Sequence, residues 1–215
     1  MEDAFAELVQ QLWEIRDFYL KHSTEQSKRR VTALGEINED LNLIGVEGTF
    51  LIQSSLAAGM SVEESDIDLV YVGDLKAFEF NNPSAYGSLE RRLYAKLGTQ
   101  VKVSHRGPIE LSELKKALKP PIRPKYLAVF YKHYRMCRKI DTRLDRIFEE
   151  VSRMVTQDSI LSERIKMTGL FDSWVIWRDS FEKYHDRIGI LIPPEHIKRE
   201  QDFVRKVREY NPQFN

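Results

Sequence analysis

The sequence predicts an α+β chain: a mixed sheet with flanking helices, followed by an all-helical C-terminal domain. Three observations carry this expectation. Strand-like patterning is confined to the part before about Lys119, helical periodicity surrounds it and fills everything after it, and the segment KPPIRPK between the two holds three prolines from Pro120 to Pro124. Proline removes backbone donors and fixes φ, so that segment is the expected linker between domains 1–119 and 120–215.

The elements follow in order. Phe5, Leu8, Val9, Leu12 and Tyr19 recur at helical spacing with charges between them, which predicts an amphipathic helix. A second helix is expected over about Thr24 to Leu41, before Gly45 and Gly48 break the pattern. GTFLIQSS is short, β-branched and apolar and reads as a buried strand. DIDLVYVGD alternates and then turns apolar, giving a second strand. YGSLERRLYAKL has helical periodicity and stops at Gly98. TQVKVSH reads as a third strand and SELKKAL as a short helix. Beyond the prolines, helices are expected over roughly Lys125 to Met154, Ser159 to Tyr184 and Pro194 to Tyr210.

The chain has 215 residues, enough for one large domain or two small ones. Lys plus Arg equals Asp plus Glu at 33 each, so net charge points to no partner. Its distribution is uneven: from Lys102 to Lys139 there are eleven Lys or Arg against two acids, Glu110 and Glu113. Such a stretch attracts phosphates without a high pI. Cys137 is the single cysteine, which excludes an intrachain disulfide and suits a reducing compartment. No apolar run reaches the length of a membrane span, and the acidic amphipathic start is unlike a signal peptide. A cytoplasmic protein is the expectation.

The chemistry lies in QSSLAAGMSVEESDIDLVYV, Gln53 to Val72. Side chains alternate along a strand, so Asp66 and Asp68 share a face with Ile67 behind them. Two carboxylates that close repel unless a cation lies between them. Hard oxygen ligands suit magnesium (or manganese), which keeps positions open for water and substrate phosphates. Upstream, Ser54-Ser55 ends a strand and Gly59 follows. A tight turn there would present N–H groups and hydroxyls to phosphate oxygens.

These residues resemble the DNA polymerase β-like nucleotidyltransferase superfamily, whose small members run strand, Gly-Ser turn, glycine, then Asp-x-Asp on the next strand. Ser54 stands at the glycine, Ser55 at the serine, Gly59 at the later glycine, and Ser65-Asp66-Ile67-Asp68 matches Ser-Asp-hydrophobic-Asp. The close match covers about 20 residues, and the order of elements extends it to roughly Thr32 to Leu118. The resemblance implies a nucleotidyltransferase-type sheet and transfer of a nucleoside monophosphate from a nucleoside triphosphate to a hydroxyl. Asp66 and Asp68 would be the catalytic metal ligands, with Ser54, Ser55, Gly59 and Ser65 around the phosphates. The acceptor could be RNA, a protein or a small molecule. The family's third carboxylate falls at Lys102, on QVKVSH. That substitution favours an alternative, a catalytically reduced module that binds nucleotide, RNA or a partner protein, as in a toxin–antitoxin or defence pair.

The basic helix KYLAVFYKHYRMCRK admits two readings. Tyr126, Phe130 and Tyr134 form one stripe that is either core or a cleft wall, and Lys132 and Arg135 beside it are candidate phosphate ligands. The five histidines show no metal-ligand spacing and are expected to be structural.

Overall fold

The fold is that of a computed structural model that describes residues 2–43, 45–74, 91, 93–98, 101–103, 109–163, 165, 185 and 189–210. The architecture is α+β and mostly helical, around a mixed sheet.

Helix α1 (Glu2–Lys21) buries Leu8, Val9, Leu12 and Tyr19, as their spacing predicts, and Ile15 with them, while the Phe5 side chain lies outside the described residues. Thr24 caps α2 (Glu25–Leu43): its hydroxyl accepts the Ser27 N–H at 3.0 Å, one of the donors a helix start leaves open. Strand β1 (Gly48–Ile52) runs antiparallel to β2 (Ile67–Gly73), pairing Gly48 with Gly73 and Ile52 with Leu69. A Cβ on either glycine would enter the Tyr71 ring, so both residues of this one rung need to be glycine. Between the strands lies the one-turn helix α3 (Ser54–Ala57).

Strands β3 (Val101–Val103) and β4 (Ile109–Glu110) lie along one edge of β2, both parallel to it. Then come α4 (Leu111–Ala117), α5 (Pro124–Met136), β5 (Arg138–Lys139), α6 (Asp145–Gln157) and α7 (Pro194–Tyr210). β5 pairs antiparallel with the other edge of β1, giving the order β3-β2-β1-β5.

Strand alternation sorts the core onto two faces. Leu51, Val70 and Val72 pack with α1, α4, α5, α6 and α7. Phe50, Ile52, Ile67, Leu69 and Tyr71 pack with Leu34 and Leu41 of α2 and with Leu56 and Ala57 of α3.

Several expectations change here. The helix expected over Lys125 to Met154 is interrupted: Cys137 is extended (φ −88°, ψ 152°) and β5 follows. The free edge of β1 presents unpaired backbone groups, and β5 satisfies them. The region after Lys119 is therefore not wholly helical, and its helices share a core with α1 and the sheet across the expected 119/120 boundary. β4 is a strand where none was anticipated. The aromatic stripe is core: Phe130 and Tyr134 are buried, with ring centroids 5.3 Å apart. Residues 93–97 are helical and end at Gly98 (φ 66°), as expected, whereas the start of that helix and most of Ser159 to Tyr184 fall outside the described residues. Among the described residues no helix is long and apolar enough to cross a membrane.

Candidate metal and phosphate site

The site forms where β1 ends and β2 begins. Gln53 extends the ladder by one rung, its N–H donating to the Asp68 carbonyl at 2.9 Å. The chain then turns at Ser54, whose φ of 54° lies in the left-handed region that glycine adopts freely. This is the position where the motif resembles a Gly-Ser turn. The Ser54 hydroxyl points at β2 and donates to Asp68 Oδ2 at 2.6 Å. Ser55 is buried, and its carbonyl accepts the Met60 N–H at 2.9 Å.

Asp66 and Asp68 flank Ile67, which is fully buried, while both aspartates keep part of their surface open to solvent. Burial therefore alternates through Asp66, Ile67 and Asp68, with Asp66 just before β2 and Asp68 within it. Gly59 (φ 76°) sits against the corner between α1 and α2: its carbonyl accepts the Thr24 N–H at 3.0 Å, and a Cβ there would strike Ser23. That packing requires glycine whether or not a phosphate approaches. Ser65 closes the preceding turn, its hydroxyl accepting the Val62 N–H at 3.0 Å.

Arg30 organises this loop, and the motif gave no hint of it. Its buried guanidinium donates to the carbonyls of Ser65 (2.9 Å) and Glu63 (2.8 Å) and to the Ser61 hydroxyl. Burial lowers its pKa, opposed by the charges of Glu63, Asp66 and Glu64. A legible signal did exist: Ser27, Arg30, Leu34, Asn38 and Leu41 form the buried stripe of α2, and a charge on such a stripe needs partners.

Lys102 occupies the register position beside Asp68 in the parallel β2–β3 pair, where the sequence places it. On the other side, β5 pairs Arg138 with Ile52, which brings Cys137 level with Gln53; Gln53 Nε2 lies 3.5 Å from Cys137 Sγ and 3.2 Å from His133 Nδ1. One row across the sheet thus reads Cys137, Gln53, Asp68, Lys102, with His133 of α5 set on Gln53. No spacing in the chain signals that Gln53 and His133, 80 residues apart, meet. Of the candidate phosphate ligands on α5, Lys132 is buried, and Arg135 is turned along its own helix, donating to the Tyr131 hydroxyl at 3.0 Å.

Among the described residues, no three His, Cys, Asp or Glu side chains converge as a metal cage. Asp66 and Asp68, part-exposed on either side of Ile67, are the carboxylates that could hold a magnesium ion, which takes one or two protein carboxylates and leaves its other positions to water and phosphate. It does not fit a closed structural zinc site. No protein-family model, curated protein or solved structure matches the chain.

Proposed function

We propose that the protein is a nucleotidyltransferase-type domain that binds a nucleoside triphosphate through magnesium held by Asp66 and Asp68. It would transfer the nucleoside monophosphate to an acceptor hydroxyl. The observation that carries this reading is the Ser54–Asp68 hydrogen bond across the β1–β2 turn. It joins a phosphate-type turn to a metal-type carboxylate at one end of two paired strands, which is what the chemistry requires. In the transfer, the acceptor oxygen bonds to the α-phosphorus as its proton passes to water, the bond from that phosphorus to the oxygen bridging to the β-phosphorus breaks, and pyrophosphate leaves. Bound magnesium would neutralise the phosphate oxygens. Ser54 fixes the orientation of Asp68, and Arg30 holds the carbonyl of Ser65 that precedes Asp66.

One observation favours a second reading. Lys102 stands beside Asp68 where a third carboxylate would serve as base, and a charged lysine accepts no proton. A protein that holds nucleotide or RNA without turnover would have this arrangement. Labelled nucleoside triphosphates with magnesium and a panel of RNA, protein and small-molecule acceptors separate the two. Pyrophosphate release with label transfer supports the transferase, whereas tight magnesium-dependent binding without release supports the binding module. No magnesium-dependent binding at all rejects both.

A further inference from the structure

Arg138 opens β5 and pairs with Ile52, the last residue of β1. Ser54 follows two residues later, so register carries a guanidinium-bearing residue to the mouth of the turn. The row Arg138–Ile52–Leu69 is offset by one residue from the row holding Asp68, and it belongs to the sheet face on which α3 packs. Arg138 is half-buried. Other buried or half-buried arginines have acceptors: Arg16 donates to the Met136 carbonyl, Arg30 to three oxygens of the 61–65 loop, Arg135 to the Tyr131 hydroxyl. The Arg138 side chain meets no acid and no hydrogen-bond acceptor among the described residues. Burial lowers its pKa, with no carboxylate opposing the shift. A desolvated cation without an anion is unfavourable, and a guanidinium is shaped to take two phosphate oxygens at once.

We propose that Arg138 binds the terminal phosphates of the nucleoside triphosphate on the α3 side of the strand ends, opposite the edge that carries Lys102. The assignment rests on the nucleotide reading above and adds to it the direction of the phosphate chain: the reacting phosphorus lies by Asp66 and Asp68, and the leaving pyrophosphate lies toward Arg138.

The test uses the full chain, with magnesium ATP, metal-free inorganic tripolyphosphate and a single-stranded oligoribonucleotide as probes. Arg138→Gln should weaken ATP and tripolyphosphate binding by about tenfold or more, and Arg138→Lys, which keeps the charge but not the fork, should fall between Gln and wild type. The paired change Asp66→Asn with Asp68→Asn should remove the magnesium dependence and spare tripolyphosphate. Wild-type-like binding of ATP and tripolyphosphate by a folded Arg138→Gln protein overturns the proposal while leaving the carboxylate reading intact. Should Arg138→Gln fail to fold, unchanged affinity in Arg138→Lys overturns it equally. Arg138-dependent tripolyphosphate binding with no magnesium ATP binding sinks the nucleotide reading and keeps the anion site. Loss of oligoribonucleotide binding alone overturns the proposal in favour of a nucleic-acid backbone contact, and a wild type that binds none of the probes rejects both.

Discussion

The hydroxyl of Ser54 donates to the Asp68 carboxylate at 2.6 Å from a residue held at φ 54°. A left-handed conformation costs a non-glycine residue about 1–2 kcal/mol. A hydrogen bond to a charged group returns about 1.5–3 kcal/mol, so the bond is large enough to hold the turn. Ser54→Ala keeps the conformational cost and loses the bond, whereas Ser54→Gly loses both. Chemical denaturation should find Gly more stable than Ala by about 1 kcal/mol. Equal stabilities would show that the turn is unstrained.

If the proposed magnesium site is right, changing both Asp66 and Asp68 to Asn removes its two charged ligands. Calorimetry should then detect magnesium-dependent triphosphate binding weakened about 100-fold or more, with a fall in melting temperature of only a few degrees, since an amide oxygen at position 68 can still accept the Ser54 hydroxyl, though without the charge. Unaltered affinity would remove the metal site.

Arg30 serves three oxygens of the loop before Asp66 from a buried position. Arg30→Met keeps the volume but leaves those acceptors without a donor, which costs roughly 3 kcal/mol. The melting temperature should fall by roughly 10 °C. Magnesium-dependent binding should weaken further than the loss of fold explains when measured well below that temperature. A variant of native affinity would make Arg30 purely structural.

Lys102 is level with Asp68 in the β2–β3 register, and on the proposed function it separates turnover from holding. Lys102→Asp gives the site three acids, so magnesium affinity should rise by about tenfold. If wild type is a binder, this variant should gain weak transfer activity in the labelled-triphosphate assay. Robust transfer by wild type would end the binding-only reading.

Glu200 of α7 sets an acid limit on stability. Burial raises its pKa, but the ring Nε2 atoms of His185 (2.8 Å) and His196 (3.3 Å) beside it and the Tyr19 hydroxyl that donates to it outweigh burial and hold the pKa at about 2, against 4.5 for a free Glu. A depressed carboxylate pKa stabilises the fold above the unfolded value and loses that contribution as pH falls from 4.5 toward 2. The loss is of order 3 kcal/mol. Urea denaturation from pH 6 to pH 2 should show it in wild type, and Glu200→Gln should lack that share. Parallel curves would place the acid sensitivity elsewhere.

What the sequence determined by itself is local. The 3.6-residue stripe of α1, the stop at Gly98 and the alternation that puts Asp66 and Asp68 astride buried Ile67 are fixed by neighbours a few positions apart, so their spacing displays them. The tertiary structure decided what joins distant segments. β5 is two residues long, too short to carry a period, and exists because the edge of β1 needs hydrogen bonds. Gln53 meets His133 across 80 residues, and Arg30 finds its acceptors more than 30 residues away. A polar side chain in a sequence names its own donors but not their acceptors. Which acceptor it finds depends on which buried groups are left unsatisfied once the helices have packed on the sheet.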